Sequence, residues 1–452
     1  MRSAYIKTTI FMLTWFSSQE LEISLIFERF IKGRSLEIAK KTALSLLSEK
    51  GEANARNIAA KLLETFHSLD RAEQLSFFEF IDSRFSPDPV AVLAAAQRYA
   101  DKPDHASLSN LFQTVEPARQ ELLRRLNRAP GGTHSIVQMR ERLLGHLKAH
   151  PGLKSVDSDI QHVFSSWFNP GFLELHEITW SSPAILLEKI IKHESVHAID
   201  GWDDLRRRLQ PDRRCFAFFH PQLPGEPLIF VEVALVPTIA REIGPLLDKK
   251  ALPLEEKKFK TAIFYSISNC QPGLKGVSLG NFLIKRVAEK IQHEIPSVKT
   301  FCTLSPIPGF TKWLDSTVNI DEFDLTPAKR LKVEESFKLL RAKGQAWTKT
   351  LAGGWSSQTV NDEEKAALLR LCFIYLSQVT CTREGDAVAK FHLSNGAQLY
   401  NINWAADLSK KGVAQSSSLM VNYLYELEAV EDNHEAFINK KVVYAKSLEK
   451  LV

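Results

Sequence analysis

Catalytically competent residue types occur in several short patterns, and the first is a possible metal site. Residues 193–197 read His-Glu-Ser-Val-His, and two histidines four residues apart on a helix can bind zinc with the glutamate as general base. The apolar run Ile185–Ile191 predicts a helix over Pro183–His197. The extension that supplies a third ligand is missing, because Asp200 and Asp203 stand where glycine and histidine would follow. We therefore predict no metal and a structural role for these residues.

A second pattern, Gly276-Val277-Ser278-Leu279-Gly280, has the G-x-S-x-G form of a hydrolase nucleophile. In that elbow the serine follows a strand directly, whereas seven loop residues separate the predicted strand Thr261–Ser268 from this pattern. Asp386 and His392 lie downstream in the order that a Ser-Asp-His triad would need. A serine hydrolase using Ser278 therefore stays an alternative.

The same loop can also be interpreted as a phosphate site. A cation and glycines precede a predicted helix over Leu279–Ile295, so backbone N–H groups and the helix dipole would favour an anion. The run resembles the pyrophosphate loop R/Q-x-x-G-x-G/A of GNAT-fold acyltransferases, although lysine leads and serine replaces the middle glycine. A predicted strand, Lys299–Leu304, completes the strand–loop–helix–strand order of that fold. The ligand implied is coenzyme A, contacted by Lys275, Gly276, Val277, Ser278, Leu279, Gly280 and Asn281.

Longer segments carry a more specific resemblance. The segment after the last of these strands reads Thr-Leu-Ser-Pro-Ile-Pro-Gly-Phe-Thr-Lys-Trp over 303–313 and closely resembles malonyl-CoA decarboxylases. The resemblance covers about Phe168 to Tyr425 and continues in His220–Leu228, Ala262–Ser268, Phe391–Ala397, Ile402–Trp404 and Asn422–Tyr425.

The resemblance implies a helical bundle joined to a GNAT-like domain that releases carbon dioxide from malonyl-CoA to give acetyl-CoA. The family's catalytic serine falls on Ser305, its catalytic histidine on His392 and an active-site tyrosine on Tyr425. Coenzyme A is part of the substrate, so no separate cofactor is expected. Some family members carry glutamate where this chain has Ser278, and no role of that carboxylate transfers.

The chemistry of these residues suits decarboxylation. Loss of carbon dioxide from a malonyl thioester leaves an enolate, which needs a stabilised oxyanion and then a proton. Ser305 lies at a predicted strand end before Pro306 and Pro308, and neutral His392 could polarise it or deliver the proton. Asn395 or a backbone N–H could hold the thioester oxygen. A third hypothesis is that the chain is a non-catalytic regulator that binds acyl-CoA.

Composition narrows the class of protein. The 452 residues are 44% hydrophobic and 25% charged, which is typical of a globular protein with a large core. A net charge of +5 does not indicate a nucleic-acid surface. Five cysteines without CxxC spacing predict neither a zinc site nor a disulfide framework. No stretch of 18 apolar residues occurs, so we predict no membrane span. The apolar run 9–16 is interpreted as the start of a helix rather than a signal peptide, and we predict a cytoplasmic protein.

The elements that must position these residues divide the chain into two predicted domains. Residues 1–157 are predicted to form a helical bundle for packing or oligomerisation, and 158–452 a mixed α/β GNAT-like catalytic domain with a helical insertion around 327–376. Aromatic residues such as Phe77, Phe78 and Phe80 suggest more apolar surface than a small bundle needs. By resemblance to the family, we expect a homo-oligomer built partly through these helices.

Overall fold

The computed structural model describes residues 33–48, 54–277, 279, 283–342 and 344–452, so the run 9–16 lies outside the described residues. The chain forms two compact units. The first contains the described residues up to Phe172, residues 220–224 and the described part of 271–279. Its helices are α1 (33–47), α2 (Ala55–Ser68), α3 (Arg71–Arg84), α4 (Pro89–Asp101), α5 (His105–Val115), α6 (Ala118–Leu126), α7 (Gly132–Leu144) and α8 (Lys154–Trp167).

Local sequence explains where several of these helices start. The Asp70 carboxylate accepts the N–H groups of Ala72 and Glu73 in a capping box at the start of α3. Helices α5 and α6 are separate because Pro117 lies between them. A proline inside a helix lacks the N–H donor and its ring clashes with the preceding turn, so the chain begins a new helix instead.

Aromatic side chains fill the core of the helical unit. The ring of Phe66 lies 5.5 Å from the rings of both Phe77 and Phe78, and the latter two are fully buried. The expectation that these two phenylalanines supply spare surface is therefore wrong. Apolar exposure lies instead on α4 and α5, which pack on each other and leave Val90, Leu93 and Phe112 between 66% and 75% exposed.

A seven-stranded sheet forms the centre of the second unit. Its order is β1-β2-β3-β4-β5-β7-β6, and the parallel pair β4–β5 lies among antiparallel neighbours. The strands are β1 (Glu174–Ile178), β2 (Arg213–Phe219), β3 (Ile229–Val236), β4 (Thr261–Asn269), β5 (Thr300–Thr303), β6 (Gln398–Asn403) and β7 (Met420–Leu424).

Helices cover and connect this sheet. They are α9 (Ala184–His193), α10 (Gly201–Arg208), α11 (Gly244–Leu247), α12 (Leu283–Glu294), α13 (Phe310–Leu314), α14 (Pro327–Arg341), α15 (Trp347–Ala352), α16 (Asp362–Ile374), α17 (Ala387–Ser394), α18 (Lys410–Ser416) and α19 (Val430–Ile438). Strand β4, helix α12 and strand β5 follow one another along the chain, and β4 and β5 pair in parallel. This order confirms the predicted mixed α/β, GNAT-like domain after a helical region.

The helices α14, α15 and α16 lie between β5 and β6, where the insertion was predicted. A π-helical turn, Tyr375–Val379, follows α16. The boundary predicted at 157/158 falls inside α8, because the apolar positions of that helix continue through Val163 and Phe164. The compact units divide at 172/173 instead, and the roles assigned to the two domains stay predictions.

Two further expectations concern membranes and thiols. Within the ranges that the structure describes, no helix is both long and apolar enough to cross a membrane. All five cysteines are free thiols, four of them buried. Burial raises the pKa of the Cys215 and Cys372 thiols well above the usual range, so these side chains behave as apolar core residues.

Candidate active site

Ser305 is held where a strand becomes a loop. Strand β5 ends at Thr303, and the N–H of Leu304 donates to the Phe264 carbonyl at 3.0 Å. The backbone of Ser305 exchanges two hydrogen bonds with Val421 of β7, at 2.8 and 2.9 Å. Ser305 is 5% exposed, and Pro306 follows with a fixed φ. The backbone that carries the Ser305 hydroxyl is therefore fixed by both neighbouring strands.

His392 reaches the same place from helix α17. The Asp386 carboxylate caps this helix by accepting the N–H groups of Val388 and Ala389, and its other oxygen accepts the Gly309 N–H at 2.8 Å. A Cβ on Gly309 would lie 2.1 Å from the Tyr375 Oη, so glycine is needed for this backbone to lie so close to the Tyr375 side chain. One carboxylate thus links the helix that carries His392 to the segment that follows Ser305.

The structure brings the three predicted catalytic residues into one chain of hydrogen bonds. The Ser305 Oγ lies 3.0 Å from the His392 Nε2, and the His392 Nδ1 lies 2.9 Å from the Tyr425 Oη. All three side chains are buried. Burial lowers the pKa of His392 to about 3 and raises the pKa of Tyr425 well above its usual value. Both groups are therefore neutral at neutral pH.

Two further side chains, which the sequence did not indicate, contact Ser305 and His392. The Thr303 Oγ1 lies 2.9 Å from the Ser305 Oγ and accepts the Tyr423 N–H at 3.1 Å. The ring of Tyr423 stacks on the imidazole of His392 with 4.7 Å between centroids. Thr303 precedes Ser305 by two residues, and this period-2 spacing along a strand is the signal that could have identified it.

Ser305 and His392 open on a cavity of about 260 Å³. Pairing of β4 with β3 steps from Ser266 opposite Glu232 to Phe264 opposite Val233, so Tyr265 is the extra residue of a β-bulge. The four consecutive residues Phe264–Ile267 around this irregularity all line the cavity. The other lining residues are Val196, Ile229, Asn269, Pro306, Ala387, Val388 and Phe391.

The His-Glu-x-x-His pattern does not form a metal site. Helix α9 ends at His193, and Glu194 has an extended backbone, so the predicted helix over Pro183–His197 is too long. The Glu194 carboxylate accepts the N–H groups of Val196 and His197 and the hydroxyl of Ser266. In a longer helix, the N–H groups of Val196 and His197 would donate to backbone carbonyls of the preceding turn. Because they donate to the Glu194 carboxylate instead, the helix does not continue.

The His197 Nε2 is buried and has no hydrogen-bond partner, and burial lowers the pKa of this imidazole to about 4. Among the residues that the structure describes, no three His, Cys, Asp or Glu side chains are grouped closely enough to hold a metal ion.

The G-x-S-x-G alternative gains no support from the described part of the chain. Ser278, Gly280 and Asn281 lie outside the described residues. His392 and Asp386 do not form a triad pair, because both imidazole nitrogens face Ser305 and Tyr425 while Asp386 accepts backbone N–H groups.

The described part of the predicted coenzyme loop is irregular backbone. Lys275 is exposed, Gly276 has a left-handed φ of 78°, Val277 is half-buried and Leu279 is buried. The described part of α12 begins at Leu283 rather than at the predicted Leu279, which is not helical.

Asn395 is not placed to hold a thioester oxygen. Its side-chain N–H group donates to the Phe391 carbonyl at 2.7 Å, and it does not line the cavity. The other donor that the sequence suggested, a backbone N–H, stays a prediction.

Comparison with known proteins identifies the family. The family described as Malonyl-CoA decarboxylase C-terminal domain matches residues 171–452, and the one described as Malonyl-CoA decarboxylase N-terminal domain matches residues 85–168. Mitochondrial malonyl-CoA decarboxylase from Anser anser anser is 39% identical over 344 residues, which are 73% of this chain and 68% of the relative. The Rattus norvegicus protein of the same name is 37% identical over 349 residues, 74% of this chain and 71% of the relative.

Solved structures agree over nearly the whole chain. The crystal structure of malonyl-CoA decarboxylase from Rhodopseudomonas palustris is 42% identical, with a TM-score of 0.80 over 92% of this chain and 99% of that one. The structure from Agrobacterium vitis is also 42% identical, with a TM-score of 0.77 over 91% and 99% of the two chains. The chain therefore belongs to the malonyl-CoA decarboxylase family of carboxy-lyases.

Proposed function

We propose that this chain converts malonyl-CoA to acetyl-CoA and carbon dioxide in the cavity beside Ser305 and His392. The observation that carries the mechanism is the buried contact of 3.0 Å between the Ser305 Oγ and the His392 Nε2 at the cavity wall. This contact supports a mechanism in which a neutral pair of proton-carrying groups acts on the thioester.

The lining of the cavity favours loss of a carboxylate. None of the described lining residues is lysine or arginine, and Ile229, Val388 and Phe391 contribute apolar surface. A malonyl carboxylate held there would lose hydration without gaining a counter-ion, whereas carbon dioxide is neutral. The free energy of the reactant carboxylate therefore rises relative to that of the transition state, in which the negative charge moves toward the enolate oxygen and its hydrogen-bond donors.

The electron pair and the proton can then be followed. The bond between the α-carbon and the carboxylate breaks, carbon dioxide leaves, and the electron pair forms the enolate of acetyl-CoA. The Ser305–His392 pair delivers one proton to the α-carbon and regains one from solvent. Donors near the enolate oxygen lower the barrier, and we assign this role to the Ser305 hydroxyl with the bulged backbone of β4.

The loop Lys275–Asn281 is proposed to bind the diphosphate of coenzyme A. Gly276 has the left-handed backbone typical of loops whose N–H groups converge on an anion, and Lys275 adds an exposed cation. Coenzyme A enters as part of the substrate, so no further cofactor is proposed.

The test is release of labelled carbon dioxide from malonyl-CoA by the purified chain. Ser305→Ala should lower kcat by about 100-fold or more with little change in KM, because the hydroxyl acts on charge that develops in the transition state. Ser416→Ala is a matched control, since Ser416 is also buried and hydrogen-bonded but does not line the cavity. It should keep wild-type kcat.

The same assay separates the alternatives. Full turnover in Ser305→Ala, combined with loss of turnover in Ser278→Ala, would favour the hypothesis of a serine hydrolase that uses Ser278. Tight binding of acyl-CoA without carbon dioxide release by the wild-type chain would favour a regulator.

We further propose a homo-oligomer in which the hairpin of α4 and α5 contacts a second copy. The two helices bury Ala95 alone among their residues, while Leu93 and Phe112 are exposed. Such an apolar face is typical of a contact surface. The cytoplasmic location stays a prediction.

A further inference from the structure

Arg140 of helix α7 is a buried cation whose partners lie outside its own helix. Its side chain is 1% exposed, and its Nε donates to the Asp157 carboxylate at 2.8 Å. Its two terminal nitrogens donate to the carbonyls of Gly273 and Lys275, each at 2.7 Å. A buried guanidinium needs such partners, because an unpaired charge in the core is strongly unfavourable.

Neighbouring contacts fix the same segment. The other Asp157 oxygen accepts the Gln161 side-chain amide at 2.6 Å, which holds the carboxylate in place. The turn Pro272–Leu274 lies directly on α7, since a Cβ on Gly273 would lie 2.0 Å from the Val137 carbonyl oxygen. The start of the proposed coenzyme loop, which belongs to the helical unit, is therefore fixed against α7.

The contact with Lys275 also sets the orientation of the next N–H. The described peptides are trans, and in a trans peptide the C=O and the following N–H point in opposite directions. With the Lys275 carbonyl bound to Arg140, the Gly276 N–H points away from the guanidinium. Rotation of this peptide would turn a carbonyl oxygen, rather than an N–H, toward an anion.

We propose that Arg140 is a positioning residue for coenzyme binding, which fixes the Lys275–Gly276 peptide so that its N–H is available to the substrate diphosphate. This inference rests on the proposed role of the loop in binding coenzyme A. It assigns to the helical unit a part in substrate affinity in addition to packing.

The experiment compares malonyl-CoA with a malonyl thioester of pantetheine, which lacks the diphosphate. Arg140→Lys keeps the charge but loses the planar set of donors. It should raise KM for malonyl-CoA about tenfold, the effect of about 1.4 kcal/mol, with kcat and the kinetics of the short thioester unchanged. Arg119→Lys is the matched control, because Arg119 is a buried, ion-paired arginine of the same unit without a contact to the loop. It should leave both substrates unaffected.

A second variant keeps the test decisive if Arg140→Lys does not fold. Asp157→Asn removes the charge that orients the guanidinium and should raise KM for malonyl-CoA in the same direction by a smaller factor. Unchanged KM in a folded variant, or equal losses for the long and the short substrate, would overturn the role of Arg140.

Gly276→Val shows whether the loop itself has failed. This variant strains the left-handed backbone and should raise KM for malonyl-CoA. If it has no effect, the proposed role of the loop in binding coenzyme A is wrong. If it raises KM while Arg140→Lys does not, the role of Arg140 alone is wrong.

Discussion

The neutral state of His392 predicts an unusual pH dependence. Burial lowers the pKa of this imidazole from 6.5 to about 3. The difference corresponds to about 5 kcal/mol against the imidazolium. At pH 6, three units above this pKa, about one His392 in a thousand is protonated, whereas an imidazole of ordinary pKa is about three quarters protonated. We therefore expect no loss of kcat from His392 titration between pH 8 and pH 5.5.

The assay is kcat and kcat/KM for malonyl-CoA at half-unit steps of pH, with constant ionic strength. Stability must be followed in parallel, because a histidine with a depressed pKa favours the unfolded chain as pH falls from 6.5 toward 3. Thermal unfolding midpoints at each pH separate loss of folded protein from loss of turnover. A fall in kcat with a midpoint near 6.5, in protein that remains folded, would refute a neutral His392.

Four other expectations follow from the same structure. Tyr425→Phe removes the hydroxyl 2.9 Å from the His392 Nδ1 and should lower kcat about tenfold at unchanged KM, as measured by steady-state kinetics. Burial raises the pKa of Glu232 to about 8, although its ion pair with Arg208 acts in the opposite direction. Its contribution to stability is therefore full below pH 4.5 and is lost as pH rises toward 8, so thermal unfolding between pH 6.5 and 8 should show a larger loss of stability for wild type than for Glu232→Gln. Chelators should leave turnover intact, and elemental analysis after dialysis should find no stoichiometric zinc. Light scattering should give a mass above the 51.1 kDa of one chain, and Leu93→Asp with Phe112→Asp should reduce it; a 51.1 kDa wild-type particle at micromolar concentration would contradict the oligomer.

Strands with strong β-propensity could be predicted from the sequence. β3 and β4 are runs of apolar and β-branched residues buried on both faces, and the predicted strand Thr261–Ser268 ends one residue short of the observed β4. β1 and β7 were missed because Glu174–Ile178 is mostly exposed and polar, and Met420–Leu424 is short. Their pairing with neighbours, rather than their own sequence, makes them strands.

The site shows a similar limit. Ser305 and His392 could be identified because long segments around them resemble a family, but their contact joins residues 87 apart in the chain, which no local pattern contains. The bulge at Tyr265 depends on register between two strands. The end of α9 depends on the bond between Glu194 and Ser266 of β4, which is a tertiary contact that helix periodicity does not reveal.

The bond from the Gly309 N–H to the Asp386 carboxylate closes a loop of the chain that contains the helical insertion. The two residues are 77 apart, and α14, α15 and α16 lie between them. The entropy of closing such a loop grows only with the logarithm of its length, so lengthening the insertion costs little once its two ends are held together. The exposed turn at Gly353 and Gly354 is therefore a place where a reporter domain could be inserted while the spacing of Ser305 and His392 is kept.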